Sequence, residues 1–210
     1  VSPREEVLGR IRAALAADPG TDVPVPRQYL RRHADGDLTG LFAQRLSDYH
    51  ATVSRAGFTE VPAAIAAAAA GLALTDVVVA PGFPAQWLPA SASVAWRADD
   101  PPLSPADLDG CGAALTTAAA AIALTGTIVL DAGPGQGRRA LSLVPDVHLC
   151  VVRASQIAAD VPDTLARLDP ARPLTFISGP SATSDIELER IEGVHGPRTL
   201  HVIIAEGGSR

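Results

Sequence analysis

Ala63-Ala64-Ile65-Ala66-Ala67-Ala68-Ala69-Ala70, followed by Asp76-Val77-Val78-Val79-Ala80, decides the fold class of this chain. An alanine run of that length is a helix former, whereas a five-residue segment dominated by valine is too short and too β-branched for one and reads as a strand. The same alternation continues outward. Ser93 to Trp96, Thr127 to Leu130, Val147 to Val152, Leu174 to Ser178 and Leu200 to Ala205 are strand candidates, and Ala113 to Ala123, Asp163 to Leu168 and Ser184 to Glu192 are helix candidates. Several of these strands are apolar on both faces, so a largely parallel sheet must be covered by helices above and below. The expected architecture is therefore α/β in three layers, with function-bearing loops gathered at the C-terminal edge of the strands.

Toward the N-terminus, Ser2-Pro3-Arg4-Glu5 is a capping box with proline at the first helical position, and Val7, Leu8, Ile11, Ala14 and Leu15 recur on one helical face. That helix ends near Asp18-Pro19-Gly20 and is followed by an extended connector from Thr21 to Pro26. The spacing of Leu41, Phe42, Arg45, Leu46, Tyr49 and Val53 predicts a second helix, stopped by Gly57. The expected organisation is a helical arm and connector over residues 1–36 and an α/β domain over 37–210.

With 47% hydrophobic residues, the chain can bury a substantial core. Seventeen basic against 23 acidic residues leave a net charge of -6, which repels nucleic acid and anionic lipid in the absence of a basic patch, and Arg138-Arg139 is only an isolated pair. The apolar run Val61 to Leu74 is too short to span a bilayer and is interrupted by Pro62 and Gly71. The first residues lack the pattern of a secretory signal, so the expected location is the cytoplasm. The two cysteines, Cys111 and Cys150, lie in apolar stretches and read as buried thiols. Neither His148 nor His195 has a second ligand at metal spacing, and no metal site or cofactor is expected.

Four segments could carry chemistry. Asp131-Ala132-Gly133-Pro134-Gly135-Gln136-Gly137-Arg138-Arg139 follows a strand, but it matches neither the dinucleotide fingerprint nor the P-loop, and a flexible turn between strands is the better reading. Arg138 could neutralise a small carboxylate there. Ser178-Gly179-Pro180-Ser181-Ala182-Thr183-Ser184-Asp185-Ile186-Glu187 runs from a strand end into a helix start and offers N–H groups and hydroxyls to an anion. Ser184 with Glu187 is equally a capping box, whose acids would compete with such a guest. His195, held between Gly193 and Pro197, could act as a base, bind a carboxylate or be structural, while His148 within its strand is expected to satisfy a buried hydrogen bond. Thr125-Gly126-Thr127 presents two hydroxyls beside a glycine suited to close packing.

Taken together, Thr125-Gly126-Thr127, Leu143-Val144-Pro145-Asp146-Val147-His148, Ser178 to Glu187 and Gly193-Val194-His195-Gly196-Pro197 resemble the lactate-utilisation protein C family of LUD-domain proteins. The resemblance implies a Rossmann-like parallel sheet similar to the ribose-phosphate isomerase and coenzyme A transferase fold. It further implies an accessory, non-redox role in oxidising L-lactate to pyruvate alongside iron–sulfur partner proteins, with a small carboxylate as ligand. Thr125, Gly126, Thr127, Ser178, Gly179, Ser181, Thr183, Asp185 and His195 are the ligand-binding candidates on this basis. Many family members carry an acidic residue just before Thr-Gly-Thr, where this chain has Leu124, which can act as neither acid nor base. Alternatives of other classes are a stand-alone enzyme on a phosphorylated sugar or a coenzyme A ester, and a pure scaffold subunit.

Overall fold

Strands that are apolar on both faces belong in the middle of a layered structure, and the chain places them there. In the computed structural model, which describes residues 2–17, 24, 26, 33–90, 93–183, 191–192 and 196–208, strands and helices are numbered in chain order. Six strands form one parallel sheet: β1 (Thr52–Gly57), β2 (Asp76–Val79), β3 (Ala95–Ala98), β4 (Ala113–Thr117), β7 (Val147–Arg153) and β12 (Thr199–Glu206), ordered β1-β12-β7-β4-β2-β3. Four more, β5 (Ala120–Ile122), β6 (Thr127–Leu130), β8 (Ile157–Ala158) and β9 (Thr175–Ile177), make a smaller mixed sheet ordered β8-β5-β6-β9. A short antiparallel pair joins β10 (Ala182–Thr183) to β11 (Ile191–Glu192). The helices are α1 (Pro3–Ala17), α2 (Leu38–Asp48), α3 (Val61–Gly71), α4 (Pro105–Asp109) and α5 (Val161–Leu165).

Side-chain alternation sorts the core into two layers. Leu115, Leu149, Val151, Ile203 and Ala205 project to one face, where α3 packs through Val61, Ile65, Ala68 and Ala69, joined by Trp87. Cys150, Val152, Leu200, Val202 and Ile204 project to the other, against Phe42 and Leu46 of α2 and against Ala121, Ile128, Leu130 and Ile157 of the mixed sheet. Farther along this second face, Val78 and Ala114 meet Leu108, Cys111 and Leu141. The layers are thus helix, parallel sheet, and a covering of mixed sheet plus helix. Burying side chains such as Phe42 and Leu46 completely stabilises the fold by about 2 kcal/mol each.

Three expectations are corrected here. Ala113 to Ala123 is not a helix: it forms β4 and β5, buried on both faces, because tertiary burial outweighs the helix preference of alanine. The second helix ends at Asp48; His50 at φ +64 turns the chain, and Val53 and Gly57 lie in β1, paired with β12. Ile191–Glu192 is a strand, while the rest of the helix expected from Ser184, with its capping box, lies outside the described residues.

The chain divides into two compact units, Val1–Leu30 and Arg31–Arg210. The first contains α1, capped reciprocally as its sequence predicts: Glu5 N–H donates to Ser2 Oγ at 3.3 Å and Ser2 N–H donates to Glu5 Oε2 at 2.8 Å. Hydrogen bonding from the Ser2 backbone N–H and then from its side chain holds the Glu5 carboxyl below its ordinary range. Among the described residues, no helix is long and apolar enough to cross a membrane.

Candidate functional site

The hydroxyls nominated from sequence converge. Thr125 Oγ1 and Thr127 Oγ1 are 2.7 Å apart, and Thr127 Oγ1 lies 2.7 Å from Ser178 Oγ, so one chain of hydroxyls links the turn before β6 to the end of β9. Two glycines make the approach possible. Gly126 sits at φ +60, where an added Cβ would fall 2.7 Å from Arg45 Cβ, and Gly179 sits at φ +89, where one would fall 2.7 Å from Tyr49 Cβ. Both loops are therefore pressed onto the C-terminal end of α2. Beside them opens a cavity of about 390 Å³ lined by Arg45, Asp48, Tyr49, Leu124 and Thr125. Arg45 Nη1 pairs with Asp48 Oδ2 at 3.3 Å, and among the described residues its buried Nε has no partner.

These loops were expected at the C-terminal edge of the parallel strands, but they lie by the starting edge. Ser181 N–H donates to Pro197 O at 2.9 Å, two residues ahead of β12, and Tyr49 precedes β1 by three residues. Antiparallel pairing explains the inversion: β5 leaves the finishing edge and runs back across the face, so its turn into β6 arrives at the opposite rim. Gly196 and Pro197, which follow His195, do meet Ser181. The Thr183 backbone lies in β10; Asp185 and His195 lie outside the described residues.

At the finishing rim there is a larger cleft, of about 560 Å³, that sequence reading did not identify. Gly82 after β2, Thr117 at the end of β4 and Arg153 at the end of β7 line it, together with Arg167 and Arg172. The glycine-rich loop after β6 is one wall. Its own groups are spent internally: Gly135 N–H donates to Pro81 O at 2.7 Å, Gln136 N–H to Gly133 O at 3.0 Å, and Gly133 N–H to Asp131 Oδ1 at 2.9 Å. The loop is thus a turn between strands, as its sequence suggests, with these N–H groups already bonded rather than free to cradle a phosphate. It leads through the 3₁₀ segment Arg139–Ser142 to β7, so it does join two strands. The usable signal for this cleft was positional, since Arg153 stands at the end of an apolar parallel strand.

Arg138 is likewise not available to a ligand. Its guanidinium forks onto the buried Asp99 carboxylate, Nε to Oδ2 at 2.7 Å and Nη2 to Oδ1 at 3.0 Å. Burial raises the pKa of Asp99, but the bonds from Arg138 and from Leu103 N–H outweigh it and hold the carboxyl below its usual range. His148 meets its expectation: it is buried in β7, with Nε2 2.8 Å from Thr116 Oγ1. Cys111 and Cys150 are buried free thiols, and burial pushes Cys150 up to about 12, so it is protonated and inert at neutral pH.

A LUD domain family model matches residues 106–205. Over 208 residues, the chain is 45% identical to Lactate utilization protein C of Deinococcus radiodurans, covering 95% of this chain and 93% of that protein. The chain belongs to the lactate utilization protein C family. A second member, from an Exiguobacterium species, is 38% identical over 82 residues, 35% of each chain. The crystal structure of a DUF162 family protein from Deinococcus radiodurans superposes with a TM-score of 0.68 at 40% identity, covering 88% of this chain and all of that one. In this lactate utilization protein C family member, the LUD segment contains the whole hydroxyl chain and also Arg153, Arg167 and Arg172, whereas Arg45, Gly82 and Trp87 come from outside it.

Proposed function

We propose that this chain is a non-redox component of L-lactate utilisation, working in the cytoplasm beside iron–sulfur proteins that oxidise lactate to pyruvate. The observation that carries this reading is its 45% identity, over 95% of its length, to a protein named for lactate utilization. Its two cysteines fall short of the four thiolates a cluster usually takes, so the electrons are carried by partners. A small carboxylate binds beside the hydroxyl chain. Arg45, displaced from its 3.3 Å pair with Asp48, supplies the cation, Thr125 supplies a hydroxyl positioned by Thr127 and Ser178, and Leu124 offers apolar surface to a methyl group. Gly126 and Gly179 allow the loops to close onto α2, and Ser181, Thr183, Asp185 and His195 are further candidates for the same ligand on the family resemblance.

Calorimetric titration with L-lactate and pyruvate tests the site. Binding to the native chain is expected, with about tenfold weakening in Arg45→Gln and a smaller loss in Thr125→Val. Melting curves matching the native chain would establish that both variants fold. Undetectable binding to the native chain, or unchanged binding in both folded variants, overturns this site.

A further inference from the structure

The cleft at the finishing rim of the parallel sheet gathers three arginines against two aspartates in a chain whose net charge is -6. Three guanidiniums reach it from separate segments: Arg153 ends β7, Arg167 follows α5 and Arg172 precedes β9. They are not equivalent. Arg167 Nη2 is held by Asp163 Oδ2 at 2.9 Å and Arg172 Nε by Asp131 Oδ2 at 3.3 Å, while Arg153 has no carboxylate partner among the described residues. Instead its guanidinium lies over the buried Trp87 ring, 5.1 Å from the centroid. Stacking of this kind fixes the plane of the fork and leaves its N–H edge free for an oxyanion.

The partners already present decide which oxyanion. A monocarboxylate offers Arg167 and Arg172 no more charge than the aspartates they hold now. A phosphate monoester carries about -1.5 to -2 at neutral pH and three strong acceptor oxygens, enough to compete for the paired arginines while engaging Arg153 fully. Asp169, Thr117 and Gln136 are also in the lining and offer polar groups to ligand hydroxyls, while Asp131 is engaged by Arg172 and by Gly133 N–H. A volume of about 560 Å³ exceeds what lactate would fill and lies in the usual range for small-molecule sites. We propose that this cleft binds a phosphorylated, hydroxyl-bearing small molecule, with Arg153 as its principal phosphate contact. The cleft is distinct from the Arg45–Ser178 surface: Thr127 and Asp131 stand at opposite ends of β6, roughly 13 Å apart at the rise of a strand.

Titration of the full chain with ribose 5-phosphate, adenosine 5′-monophosphate, inorganic phosphate and L-lactate tests the assignment, with Arg153→Gln and Arg167→Gln as variants and Thr125→Val as the control. Expected is binding of at least one phosphate ester, weakened about tenfold or more by Arg153→Gln and less by Arg167→Gln, unchanged in Thr125→Val, and diminished by added salt. If inorganic phosphate alone binds, with the same dependence on Arg153, the oxyanion subsite stands and the hydroxyl-bearing body is overturned. No binding of any phosphate compound, or equal binding in Arg153→Gln and Arg167→Gln variants whose melting curves match the native chain, overturns the proposal. So does lactate binding that Arg153→Gln weakens as strongly as it weakens binding of the esters. Failure of lactate to bind in the Thr125→Val control bears only on the other site.

Discussion

Replacing Arg138 by methionine is expected to destabilise the fold by about 3 kcal/mol, with chemical denaturation as the measurement. Methionine keeps much of the apolar stem but removes the fork that neutralises Asp99, whose side chain is 2% exposed. The carboxylate would then be buried with only Leu103 N–H, at 2.8 Å, as a hydrogen-bond donor. An unpaired buried charge costs about 3–5 kcal/mol. The lower end applies because Arg138 itself is 36% exposed and water can partly replace it. The double variant Asp99→Asn with Arg138→Met should recover at least about 1 kcal/mol of the loss, since no charge is then stranded. A single-variant loss below about 1 kcal/mol would show that the pair is not what anchors the loop before Arg138.

His148 makes stability depend on pH. Burial pushes its pKa from 6.5 down to about 4, because charging an imidazole that contacts only Thr116 Oγ1 and leaves Nδ1 unpartnered among the described residues is unfavourable. Between those two values the unfolded chain holds more protons than the folded one. The stabilisation is therefore complete above about pH 6.5 and is lost as pH falls toward 4. It amounts to about 2 kcal/mol between pH 7 and pH 5, and about 3 kcal/mol over the full interval. His201, half-buried and lowered by burial as well, adds in the same direction. Denaturation midpoints for the native chain should fall over this range, and those for His148→Gln should fall by distinctly less, since the amide can keep the Thr116 bond without titrating. Parallel curves would contradict the assignment.

The parts of the fold legible in the sequence were those where one segment does one thing. Thr127 to Leu130 and Val147 to Val152 are short β-branched runs bounded by turn residues, and both are strands. Ala113 to Ala123 was misread because alanine is silent about burial, and the periodicity of a helix cannot be told from two short strands when nearly every residue is small. A hairpin signal was available in Gly126, which stands between two apolar runs at a positive φ. Helix α2 and β1 were merged because an edge strand with a mostly half-exposed pattern has no clear alternation to mark where the helix stops. At the candidate site, the meeting of Thr125, Thr127 and Ser178 followed from the family resemblance. The rim on which they meet did not, because it depends on the direction of β5 and β6 across the sheet. Arg153, Arg167 and Arg172 share no spacing that a motif could encode, and only the ends of three separate elements bring them together.

The role in lactate metabolism is tested most directly by deleting the gene in its own host and measuring growth with L-lactate as sole carbon source. Growth on lactate should be lost and then restored by a plasmid-borne copy, while growth on pyruvate is unaffected, because the missing step precedes pyruvate. A deletion strain that grows normally on L-lactate would contradict the account.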